Sequence, residues 1–120
     1  MFGKKRPLVF ETTMDGDIAI IKIGGRLDSS NIEGCTDKFQ EVVDNQSKKV
    51  IIDLCDLHYI SSIWLSEFMG FSRYVDKHDG SLVIINMDKK IFQIFDVLGF
   101  TDNFIIVDDM EKAKLEVAKA

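Results

Sequence analysis

A chain of 120 residues with a formal net charge of −5 is long enough to bury one hydrophobic core without help from metals or disulfides. Its acidity excludes nucleic acid and anionic membrane as main partners, since both select clustered Lys and Arg, and Lys4-Lys5-Arg6 is too short a run to reverse that. No apolar stretch approaches the ~20 residues of a membrane span and Met1 to Pro7 lacks the apolar segment of a signal peptide, so a cytoplasmic protein is expected.

Residues 1–7 are expected to be a flexible start and 8–120 a single domain, with Pro7 at the boundary. Leu8 to Thr13 and Ile18 to Gly24 are rich in β-branched residues and flank the turn tripeptide Asp15-Gly16-Asp17, which predicts an antiparallel hairpin. Gly24-Gly25 is expected to ease a tight exit from the second strand. Ser30 and Glu33 have capping-box spacing, and Ile32, Cys35, Phe39 and Val42 recur at helical period, predicting a helix from Asn31 to Asp44. Val50 to Leu54 and Ser81 to Asn86 are short apolar runs of the kind found in central strands covered on both faces. Each is followed by a helical pattern. Ile91, Phe95 and Leu98 mark a third helix that Gly99 can terminate. Phe104 to Val107 reads as a last strand, and Asp108 or Asp109 as the cap of a closing helix through Val117. The order β-β-α-β-α-β-α-β-α implies an α/β fold with a mixed, mostly parallel sheet, its first strand antiparallel at an edge, packed with about four helices. Cys35 and Cys55 lack the spacing of a metal or redox motif and are expected to be buried thiols.

Loops leaving the carboxyl ends of parallel strands gather on one rim, where sites usually form. The second strand sends Arg26, Asp28, Ser29 and Ser30 there, the third His58, Ser61 and Ser62, and the fourth Asn86, Asp88 and Lys89. Ser61 and Ser62 stand where a buried strand gives way to a helix starting near Ile63, so the junction is expected to present two hydroxyls to water. A serine there can cap the helix or carry a phosphate, because the N–H groups and the helix dipole both favour negative charge.

Catalysis finds little support. Ser-Ile-Trp-Leu lacks the glycines of a nucleophile elbow, and no late histidine follows it. Gly24-Gly25-Arg26 lacks the Gly-Lys-Ser/Thr ending of a phosphate loop. A receiver domain would need an acidic cluster where Thr12-Thr13-Met14 stands. No enzyme activity, cofactor or metal is expected. At 100° per residue, Leu65, Phe68, Met69, Ser72 and Val75 form the core face of the second helix, with Trp64 and Phe71 at its edge. Ile63, Glu67, Gly70 and Tyr74 fall opposite. That face is either ordinary scattered surface or a protein-docking surface beside the serine pair.

Three segments carry a resemblance: Gly25-Arg-Leu-Asp-Ser29, Asp53-Leu-Cys-Asp-Leu-His-Tyr-Ile-Ser-Ser-Ile-Trp-Leu65 and Ile94-Phe-Asp-Val-Leu-Gly-Phe100. In order and spacing they resemble the STAS family, in particular its stand-alone anti-sigma factor antagonists, over about Leu8 to Val117. The resemblance implies a STAS domain in which Ser62 is the phosphorylated serine, with Ser61 as alternate. Asp28 takes the place of the family aspartate near it. Ser61 stands where the family has Asp, and Trp64 where it has Gly. The implied partner surface is Asp28, Ser61, Ser62, Ile63, Trp64, Glu67, Gly70 and Tyr74. Implied partners are an anti-sigma factor or serine kinase of the histidine-kinase-like ATPase fold, bound when Ser62 is unphosphorylated, and a metal-dependent serine phosphatase; the domain itself is implied to be a monomer or weak dimer. The alternative is a STAS module that is never phosphorylated, serving as scaffold or as regulatory subunit of a transport or signalling complex.

Overall fold

A computed structural model describes residues 8–44 and 47–119; the flexible start expected over residues 1–7 lies outside them. In chain order the elements are β1 (Val9–Asp15), β2 (Ile18–Leu27), α1 (Cys35–Asp44), β3 (Lys49–Asp53), β4 (Leu57–Ile60), α2 (Ser62–Lys77), β5 (Ser81–Ile85), α3 (Lys89–Val97), a 3₁₀ turn over Thr101–Asn103, β6 (Ile105–Val107) and α4 (Met110–Val117). The strands run β1-β2-β3-β5-β6 across the sheet, and β4 pairs separately with β2. β1 is antiparallel to β2 and every other pairing is parallel. The expected α/β class and mostly parallel sheet are therefore present, with one short strand, β4, added before α2.

Alternation along the central strands sends side chains to two separate cores. Ala19, Ile21, Ile23, Val50, Ile52, Leu82 and Ile84 meet buried residues of α1, α2 and α3 on one face. Ile51, Val83 and Ile85 meet Ala113 and Val117 of α4 on the other. This double cover is why these strands read as continuous apolar runs.

The β1–β2 hairpin closes through Gly16 and Asp17, with Asp15 paired to Ile18. Gly16 takes the positive φ, 61°, that such a two-residue loop needs at its first position. Two helices end as the sequence suggests. After α3, Gly99 adopts φ 78°, its N–H donates to the Asp96 carbonyl, and Phe100 N–H donates to the Phe95 carbonyl, the paired bonds of a Schellman ending. Asp109 caps α4 by accepting the Lys112 N–H at 2.9 Å.

Three expectations need correction. β2 does not stop at Gly24 but continues to Leu27, with its register shifting between Gly25 and Arg26 where β4 joins. Gly24 instead permits a close approach, since a Cβ there would lie 2.9 Å from the Asp56 Cβ. α1 starts at Cys35, not Asn31. Ser30 and Glu33 form no capping box, because the Ser30 hydroxyl donates to Asp28 and Gly34 at φ 81° interrupts the helical path. Cys35 is buried as expected, and burial pushes its thiol up to about 11. Cys55 is exposed, because the turn between β3 and β4 carries it to the surface.

Candidate functional site

Hydrophobic pairing of β4 with the second half of β2 sets the site. Leu57 and Ile60 are buried under it, and the strand passes directly into α2. Ser61 is the N-cap, with extended φ −88° and ψ 165°. Its N–H donates to the Leu27 carbonyl at 2.8 Å and its carbonyl accepts the Leu65 N–H at 3.1 Å. Its side chain makes no cap bond. The Ser61 hydroxyl is turned inward, buried without a hydrogen-bond partner among the described residues. Only one of the two expected hydroxyls therefore faces water. Ser62, the first residue of a 16-residue helix, is exposed, and Ile63 beside it is 45% exposed.

Trp64 corrects a second expectation. It is not a surface contact but a fully buried side chain, 0% exposed. Its indole N–H lies 3.0 Å from the Asp28 carbonyl and 2.9 Å from Asn31 Oδ1. Asn31 in turn accepts the Asp28 N–H at 3.1 Å and donates from Nδ2 to the Arg26 carbonyl at 2.8 Å. Trp64 and Asn31 thus tie the loop after β2 to the first turn of α2. Sequence reasoning placed Asn31 in a helix and missed this role.

The loop so held presents Asp28. One carboxylate oxygen accepts the Ser30 N–H at 2.9 Å and the Ser30 hydroxyl, and the other accepts Arg26 Nε at 3.2 Å. The Ser30 hydroxyl first, then the Ser30 N–H and Arg26, hold the Asp28 carboxyl below its ordinary value. A depressed folded value means that these contacts add stability above the unfolded pKa and lose it as pH falls through the folded one. Ser30→Ala is accordingly expected to move the Asp28 carboxyl resonance midpoint upward toward the ordinary carboxylate value, read by carbon-detected NMR titration. An unmoved midpoint would refute the assigned cause.

The rest of the α2 face divides. Gly70 is exposed, whereas Glu67 and Tyr74 are half-buried against α1. The Thr36 hydroxyl donates to Glu67 at 2.8 Å, and the Tyr74 hydroxyl to Asp44 at 2.8 Å. Thr36, Glu67, Gly70 and Tyr74, with Phe39 and Phe71, line a groove of about 150 Å³ between the two helices. The polar residues after β5, expected on the same rim, are held by local partners. Asn86, at φ 59°, donates to Asp53 at 2.9 Å, and Asp88 caps α3 by accepting the Ile91 N–H. Among the described residues no cluster of His, Cys, Asp and Glu is arranged to hold a metal, and no helix is long and apolar enough to cross a membrane.

The STAS domain family model matches residues 10–113, nearly the whole chain. The chain belongs to the STAS domain family. Among curated relatives, an anti-sigma-B factor antagonist of Staphylococcus epidermidis is 25% identical over 95 residues, covering 79% of this chain and 88% of that protein. One of Staphylococcus aureus is 23% identical over the same length and coverage. Solved structures share the STAS fold. An anti-sigma factor antagonist from Mycobacterium paratuberculosis superposes with a TM-score of 0.82 at 13% identity, covering 93% of this chain and 95% of that one. The unphosphorylated form of the antagonist SpoIIAA gives 0.76 at 17% identity, covering 92% and 96%. Its phosphorylated form, from Bacillus, gives 0.65 at 17% identity over 90% and 97%.

Proposed function

We propose that this STAS domain is an anti-sigma factor antagonist whose partner binding is switched at Ser62. The observation that carries the reading is an exposed hydroxyl at the first position of α2, beside a loop that Trp64 fastens in place. Its staphylococcal relatives, both anti-sigma-B factor antagonists, point the same way. Unphosphorylated, the domain docks on an anti-sigma factor, a serine kinase of the histidine-kinase-like ATPase fold, through Ser62, Ile63 and the Asp28 loop. The client sigma factor is thereby released. Glu67, Gly70 and Tyr74 extend the contact along the α1–α2 groove. Phosphorylation adds about −1.5 to −2 charges at the contact, while the helix N-terminus keeps the modified domain folded. A metal-dependent serine phosphatase restores the hydroxyl.

Intact-mass and fragment analysis after co-expression with an anti-sigma factor serine kinase of that ATPase fold is the test. One phosphate is expected, on Ser62 and not on Ser61, whose oxygen has no path to a γ-phosphoryl group. Phosphate on Ser61 would overturn the site. Persistent absence of phosphate would favour the second reading, a constitutive STAS scaffold, for which the uncharged, inward-turned Ser61 is the favouring observation.

A further inference from the structure

We infer that the free edge of β1 is a self-association surface, on which a second copy of this chain pairs β1 to β1 and continues the sheet. Among the described residues β1 pairs only with β2 and stands at the end of the strand order. Its seven residues contain no Pro, no Lys and no register shift, three of the devices that normally blunt an open edge; its charges are Glu11 and Asp15. Glu11 to Asp15 are all exposed.

The hairpin determines which backbone groups are free. A two-residue loop leaves the flanking pair, Asp15 and Ile18, exchanging both hydrogen bonds. Alternation then assigns Val9, Glu11, Thr13 and Asp15 to the β2 ladder. Phe10, Thr12 and Met14 point their N–H and C=O groups outward. A two-fold axis through Thr12 would satisfy these groups with roughly six hydrogen bonds, in an antiparallel ladder that sets Thr12 against Thr12 and Phe10 against Met14.

Side chains at this register match. Thr–Thr is a favourable cross-strand pair, and a methionine sulfur against a phenylalanine ring is favourable too. Met14 is 56% exposed in the single chain. No like charges fall opposite one another, since Glu11 meets Thr13 and Val9 meets Asp15. Asp15 is moreover already paired with Lys114. The neighbouring helix offers charges of both signs along this edge. Lys38 lies over the Phe10 ring, 5.3 Å from its centroid, and Lys38 and Glu41 together line an open cavity of about 280 Å³ with Thr12 and Met14. A two-fold axis through Thr12 sets the Lys38 and Glu41 of one copy beside those of the other, where opposite charges pair crosswise.

Sedimentation equilibrium from micromolar to millimolar protein, with hydrogen exchange on the same samples, tests this pairing. The mass is expected to rise from one chain toward two. The amides of Phe10, Thr12 and Met14 should slow in step, while those of Glu11, Thr13 and Asp15 are protected throughout. Thr12→Lys places like charges on the axis and is expected to weaken association roughly tenfold or more, with an unchanged circular dichroism spectrum. A chain monomeric at millimolar concentration overturns the inference. So does a dimer in which the three outward amides still exchange fast. Should Thr12→Lys fail to fold, the concentration dependence of those amides in the wild type decides alone.

Discussion

Ser62→Asp is expected to weaken binding of the anti-sigma factor kinase roughly 100-fold while the melting temperature holds or rises slightly. The two effects separate because they act on different neighbours. An aspartate at the first position of α2 sits at the positive end of a 16-residue helix, worth about 0.3–1 kcal/mol to the fold. Pressed against a partner, the same carboxylate must shed water without a counter-charge, at about 2–5 kcal/mol. Ser62→Ala should bind within roughly threefold of wild type, since it introduces no charge to desolvate, and should accept no phosphate. Isothermal titration calorimetry on the three proteins checks the order, and equal affinities for Asp and Ser at this position would sink the proposed switch.

Trp64→Gly, which installs the family residue, is expected to cost about 4–6 kcal/mol. Emptying a fully buried indole site costs about 3–5 kcal/mol, and a glycine within the helix adds about 1 kcal/mol. The single glycine therefore removes a large part of an ordinary domain's ~5–15 kcal/mol. Should the protein not fold, Trp64→Phe isolates the tether. It keeps most of the packing but removes the donor to the Asp28 carbonyl and Asn31 Oδ1, at about 1–3 kcal/mol. Denaturant unfolding should report that loss, and amide exchange should quicken over residues 28–31 before it does elsewhere. A phenylalanine variant as stable as wild type would show that these hydrogen bonds hold nothing.

Much of this fold is legible in the chain because its strands are unambiguous. Val50 to Asp53 and Ser81 to Ile85 are too short and too β-branched to be helices, and burial on both sides follows from their unbroken apolarity. Gly99 and Asp109 act where local backbone chemistry says they should. β4 escaped notice because Leu57-His-Tyr-Ile has neither length nor a clean alternation, and its pairing depends on a distant stretch of β2. The start of α1 was misread for a related reason. Ser30 has a choice of acceptors, and Asp28, two residues back, wins its hydroxyl.

At the site, the strand-to-helix junction pointed to Ser62, while helical projection set Ile63, Glu67, Gly70 and Tyr74 opposite the core but put Trp64 only at its border. What lies beyond that border is the loop after β2, more than thirty residues away in sequence. No periodicity within α2 contains that information. The inward turn of the Ser61 hydroxyl is equally invisible, since a serine at an N-cap normally bonds the helix it starts.

The bonds from Ser61 and Trp64 to the backbone of Leu27 and Asp28 make the serine and the aspartate parts of one rigid body. In the proposed switch, a signal written at residue 62 would then need no hinge, lid or relay to be felt at residue 28. A protein seated across both would meet a phosphate there as a change of field on an unaltered shape.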